Sequence, residues 1–116
     1  MTITLYGIKN CDTVKKAKKW LEQHNIDFTF HDFREDGIDS DWVASVEQQV
    51  GWETLLNKRG TTFRQLDEQV KASVNEHTAI QLMADNPTLI KRPVLIADSK
   101  TLVGFKPEIY AEALNQ

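Results

Sequence analysis

The chain has one cysteine among 116 residues, no surplus of positive charge and no hydrophobic run of membrane-spanning length. A single cysteine excludes an internal disulfide and a cysteine-rich metal site. Redox chemistry at Cys11 would therefore need a second thiol from another molecule. The 14 Lys and Arg stand against 17 Asp and Glu, a net charge of −3. Nonspecific nucleic-acid binding depends on a dominant positive field, so no nucleic-acid partner is expected. The first residues show no basic segment followed by an apolar run, so neither a secretory leader nor membrane association is expected. Internal repeats and low-complexity tracts are also missing. The remaining composition is that of a globular chain, 41% hydrophobic and 27% charged, long enough to bury a core without disulfide or metal staples. One domain over residues 1–116 is expected, acting as a monomer. A free thiol in a chain without export signals points to the cytoplasm.

Against this background the stretch Tyr6-Gly7-Ile8-Lys9-Asn10-Cys11-Asp12-Thr13 stands out. Before it, residues 2–6 alternate polar and apolar side chains and are rich in β-branched types, the pattern of a strand. After it, Val14, Ala17, Trp20 and Leu21 recur at helical spacing. Cys11 is thus expected where a strand hands over to a helix, at or beside the N-cap. The first N–H groups of a helix have no intrahelical partner, and the helix dipole favours negative charge there. A thiolate in that position is stabilised relative to the thiol and is reactive at neutral pH. Lys9, Lys15 and Lys16 add positive charge nearby, and Asp12 opposes them. A lone cysteine is often an inert core residue. The helix-start position and polar neighbours favour a nucleophile instead.

The helix should run from Asp12 or Thr13 to His24, with Asn25 as its stop signal. Residues 26–33 alternate as a second strand, and a crossover helix makes the pair parallel. His31 lies on the polar side of that strand, at the surface, and has no companion for metal binding. Asp39 or Ser40 can cap a helix through Trp42, Val43, Val46 and Val50, ended by Gly51. A short helical piece follows at Trp52, Leu55 and Leu56. Phe63, Leu66, Val70 and Val74 continue at helical spacing. Asn75 caps another helix, through Ala79, Ile80 and Met83, which Asp85-Asn86-Pro87 stops. Residues 39–86 therefore read as a helical insertion. Residues 89–97 form a buried-looking strand, residues 101–105 its hairpin partner, and Pro107 opens a last helix.

The order β-α-β, helical insert, β-β-α resembles an α/β thioredoxin-like fold with a helical insertion between its halves. Three local strings narrow the likeness: residues 10–17 (NCDTVKKA), 55–62 (LLNKRGTT) and 87–94 (PTLIKRPV). Together they resemble the ArsC/Spx family of arsenate reductase-like proteins and Spx regulators, and most closely its short YffB-like branch. The resemblance implies that Cys11 is the catalytic cysteine, Arg92 an active-site arginine and Pro93 a cis-proline facing the thiol. A cis X-Pro bond at a strand start exposes the preceding backbone for an extended peptide such as glutathione. An arginine fork suits oxyanions and carboxylates. Lys9, Asn10, Thr13 and Lys15 beside the thiol, with Asn57, Lys58 and Arg59, are the remaining substrate-binding candidates.

The chain also departs from the family pattern. Asn57 stands where arsenate reductases place an arginine, with Arg59 two residues on. Phe105 and Lys106 stand where another arginine would be. Val14 replaces the second cysteine of the Spx C-x-x-C switch, which excludes a self-contained thiol switch. The expected function is that of a monothiol reductase. Glutathione would be a co-substrate and not a bound cofactor, glutaredoxin a further partner, and the substrate a small-molecule or protein disulfide, or arsenate. The alternative is a non-enzymatic, Spx-like adaptor docking on RNA polymerase.

Overall fold

The computed structural model describes residues 2–115. In chain order, β1 (Ile3–Gly7), α1 (Asp12–Gln23) and β2 (Thr29–Asp32) come first. Five helices follow: α2 (Ser40–Val50), α3 (Trp52–Leu55), α4 (Thr61–Arg64), α5 (Glu68–Ala72) and α6 (Glu76–Asp85). A 3-10 turn at Pro87–Leu89 precedes β3 (Val94–Ala97), β4 (Lys100–Val103) and α7 (Pro107–Ala113). The chain divides into two compact units, Met1–Gly37 with Arg92–Gln116, and Ile38–Lys91.

The first unit is built on a four-stranded sheet in the order β2-β1-β3-β4. β1 and β2 are parallel, in the register Thr4↔Thr29 to Gly7↔Asp32, as a crossover helix requires. β3 runs antiparallel to β1, pairing Tyr6 with Val94, and β4 completes a hairpin with β3. One face of each strand enters the core. Ile3 and Leu5 from β1 meet Leu95 and Ala97 from β3, Val14, Ala17 and Leu21 from α1, and Tyr110 and Leu114 from the C-terminal end. Full burial of such a side chain contributes about 1.5–3 kcal/mol, so this cluster dominates the stability of the unit.

α1 begins at Asp12 and passes through His24 into Asn25, whose φ of 55° is the left-handed conformation that asparagine tolerates. β2 is shorter than the alternation suggests, because only residues 29–32 lie opposite β1. Ile26 and Phe28 pack on the core without joining the ladder. β3 likewise starts late, at Val94, after the 3-10 turn and the cis Arg92–Pro93 peptide.

In the second unit, the Asp39 carboxylate caps α2 by accepting the Trp42 N–H at 2.8 Å. Gly51 ends that helix, as expected. Asn75 and Thr78 form a reciprocal capping box at the start of α6. The helical spacing of Phe63, Leu66, Val70 and Val74 does not produce one helix. The chain breaks after Arg64 and restarts at Glu68, because the Asp67 carboxylate accepts the Gln69 N–H at 2.8 Å and caps a new helix. α5 buries none of its residues. Residues 55–57 and 89–91 lie antiparallel, with a Leu56↔Ile90 bridge flanked by Asn57 N–H to Leu89 O (2.7 Å) and Lys91 N–H to Leu55 O (2.9 Å).

Candidate active site

The register of the sheet brings distant parts of the chain to one end. β1 and β2 finish there at the Gly7↔Asp32 pair, β3 begins there at Val94, and β4 finishes there at Val103. The segments leading away from or into that end carry Cys11, Asp32, Arg92 and Pro93. The close approach of α1 to β1 depends on Gly7, since a Cβ there would lie 2.7 Å from Val14 Cγ2. Cys11 is the N-cap of α1, in extended conformation (φ −108°, ψ 126°), and its side chain makes no capping hydrogen bond. Its backbone is held at both ends: its N–H donates to Ile8 O at 3.2 Å, and its carbonyl accepts from Lys15 N–H at 3.0 Å. Cys11 as a whole residue is half-buried and packs against the rim of the core.

Lys9 does not stand as a free cation beside the thiol. Its ammonium pairs with Glu35, which holds it further protonated than usual. Asn10, Lys15 and Lys16 are exposed, while Thr13 is half-buried. The Lys18 ammonium lies over the Phe30 ring, 3.6 Å from its centroid. Arg92 is half-buried with its Nε shut away from solvent, more enclosed than a surface ion-pairing arginine. Pro93 follows it through a cis peptide and is buried. Its carbonyl accepts the Gly104 N–H at 2.8 Å, and Gly104 in turn accepts the Tyr110 hydroxyl at 2.9 Å. Gly104 has φ +84°, which explains a glycine at this corner. Burial pushes the Tyr110 phenol up, so it remains a donor.

In the second unit, Asn57 Oδ1 accepts the Arg59 N–H at 3.1 Å, so the side chain shapes its own turn. Lys58 lies 5.2 Å from the Trp52 ring centroid, and Lys58 and Arg59 are exposed.

The sequence offered little warning of Asp32. Its carboxyl is buried (3% exposed) and accepts three backbone N–H groups: Lys9 at 3.0 Å, Arg34 at 2.7 Å and Glu35 at 3.0 Å. Burial pushes the carboxyl up. The N–H groups of Glu35, Arg34 and Lys9, with the Lys9 charge, outweigh it and hold the group below the usual carboxylate range. His31 is half-buried, with Nε2 2.6 Å from Gly37 O and its ring 5.0 Å from that of Tyr6. Among the described residues no group of His, Cys, Asp and Glu could hold a metal ion. No described helix is long and apolar enough to cross a membrane.

The ArsC family model matches residues 6–113, nearly the whole chain. The chain belongs to the ArsC family. Within it, an uncharacterized protein of Haemophilus influenzae is 56% identical over 111 residues, covering 96% of this chain and 97% of its own. The global transcriptional regulator Spx of Streptococcus pyogenes is 28% identical, covering 91% and 80%. Among solved structures, a YFFB protein is 52% identical with a TM-score of 0.94, covering 97% and 99%. An arsenate reductase (ArsC) related protein of Brucella melitensis is 49% identical, with a TM-score of 0.80 and coverage of 100% and 97%. This ArsC-family chain thus has the thioredoxin-like fold with a helical insertion that its element order suggested.

Proposed function

We propose that this ArsC-family protein is a monothiol reductase that uses glutathione as its resolving thiol. One observation carries the reading: Cys11, the single cysteine, is the extended N-cap of a 12-residue helix and spends no side-chain hydrogen bond on the cap. The thiol is therefore left free for chemistry at the point where the loop after β1 meets the helix. The Cys11 thiolate attacks the glutathionyl sulfur of a glutathione mixed disulfide, R–S–SG. The S–S bond breaks, R–S⁻ leaves and takes a proton from solvent, and Cys11–S–SG forms. A second glutathione thiolate then attacks the glutathionyl sulfur of that adduct, releasing oxidised glutathione and restoring the Cys11 thiolate. The net reaction is R–S–SG + GSH → R–SH + GSSG, so one free glutathione thiol is consumed per cycle and the other half of the product disulfide comes from the substrate. Arg92 is the residue for an anionic group of the substrate or adduct, its planar fork matching a carboxylate. Lys15, exposed in the first turn of α1, is an accessory cation. Lys9 is already matched by Glu35 and is a weaker candidate.

The test is intact mass spectrometry after incubation with oxidised glutathione. One added glutathione is expected, absent in Cys11→Ser. A chain that stays unmodified while its thiol titrates freely would overturn the reductase and leave a regulator, the role named for the Spx relative, as the better reading.

A further inference from the structure

The loop that presents Cys11 is short, exposed at Lys9 and Asn10, and lies between a buried strand end and a helix start. Left to itself such a loop would sample many conformations. Here it is tied at two levels to the turn that follows β2. In the exposed layer, the Lys9 ammonium pairs with Glu35. In the buried layer, Asp32 Oδ2 accepts the Lys9 N–H at 3.0 Å, two residues before the cysteine. The other oxygen of the same carboxylate, Oδ1, accepts Arg34 N–H at 2.7 Å and Glu35 N–H at 3.0 Å. Asp32 is itself fixed, since its N–H donates to the Asp36 carboxylate at 2.9 Å and the next N–H, of Phe33, donates to Gly7 O at 2.8 Å.

We infer that Asp32 is the positioning residue of Cys11: its buried carboxylate joins the loop before the cysteine to the turn after β2 and holds the thiol at the start of α1. Exposed ion pairs contribute little. A buried carboxylate accepting three N–H groups is far harder to displace, because each donor would be left without a partner. The inference rests on the reading of Cys11 as the reactive group, but it is tested on the thiol itself and needs no substrate.

The substitution Asp32→Asn discriminates well. One oxygen survives and can keep Arg34 and Glu35, while the new NH2 group faces the Lys9 N–H, donor against donor. The turn is retained and the tie to the cysteine loop is cut. The rate of Cys11 alkylation by iodoacetamide at pH 7, well below the melting temperature, is expected to fall by about tenfold, the order of loss that misplacement of a reacting group causes. Asn75→Ala, which removes the α6 cap in the other unit, serves as a control for general destabilisation and should change the rate by less than about twofold. Glu35→Gln, which weakens only the exposed layer, should behave like the control. An Asp32→Asn protein that alkylates at the wild-type rate would overturn the inference, and so would an equal fall in Asn75→Ala. If Asp32→Asn does not fold, hydrogen exchange on the wild-type chain decides. A protected Lys9 amide supports the tie, and exchange at the rate of an open loop overturns it. A slow wild-type thiol would count against the reductase reading alone, since the Asp32 test is read as a ratio of variant to wild type.

Discussion

Arg92 is enclosed along its stem at the point where the chain enters the sheet. It is half-buried, with Nε out of solvent, and stands immediately before a buried proline. The planar guanidinium fork matches a carboxylate better than a lysine ammonium does. Arg92→Ala should remove a charge-assisted hydrogen bond of about 1.5–3 kcal/mol. Glutathione-dependent turnover should fall roughly tenfold to a hundredfold. Arg92→Lys should recover only part of it. Steady-state turnover measured beside thermal melting checks this: activity lost with a nearly unchanged melting temperature supports the anion role, whereas activity and melting temperature lost together assign Arg92 to the scaffold. Cys11 could be picked out from its sequence neighbours alone. Asp32 could not, because its part depends on the parallel register that sets Gly7 beside Asp32, and nothing local to residues 29–36 announces the Lys9 amide.

At the level of elements, the helices with strong punctuation were legible: α1 with Asn25 beyond it, α2 between Asp39 and Gly51, and α6 behind its Asn75 cap. The break between α4 and α5 was not, since apolar spacing ran on through it while the Asp67 carboxylate quietly offered the backbone a fresh start. Strand lengths were overestimated for a related reason: alternation continues beyond the residues that find a partner.

Two predictions belong at this scale. Gly7→Ala places a methyl against the stiff β-branched Val14, so β1 and α1 must separate. A loss of about 1–3 kcal/mol is expected in denaturant melts. The double variant Gly7→Ala/Val14→Ala should be more stable than the sum of the single effects predicts, and strict additivity would refute the close-contact account. The second concerns Glu47 on α2, buried at 8% exposure, whose carboxyl is hydrogen-bonded to Glu76 in the first turn of α6. Burial, the Glu76 charge and that hydrogen bond all push its carboxyl up, with the Trp52 N–H opposing. The folded chain therefore holds this proton more tightly than the unfolded one. The resulting stability is complete below the ordinary value of 4.5 and is lost as pH rises through the folded value. Glu47→Gln keeps a hydrogen-bonding group without the charge, so its melting temperature at pH 7 should exceed that of the wild type, and the difference should vanish in acid. A variant less stable at pH 7 would contradict the assignment.

Across the whole molecule, β1 has partners on both sides that arrive at very different times. β2 follows after a single helix, but β3, which pairs Leu5 with Leu95, lies far along the chain. During synthesis the N-terminal β-α-β segment, complete with Cys11, emerges well before Arg92 is joined to the chain. At about 5–20 residues per second, Cys11 is added roughly 4–16 s before Arg92. Through that interval the N-terminal β-α-β segment holds Cys11 while β3, the other partner of β1, has yet to be made. The nascent chain therefore carries Cys11 beside a β1 edge still open to the strand that will bring Arg92 and Pro93.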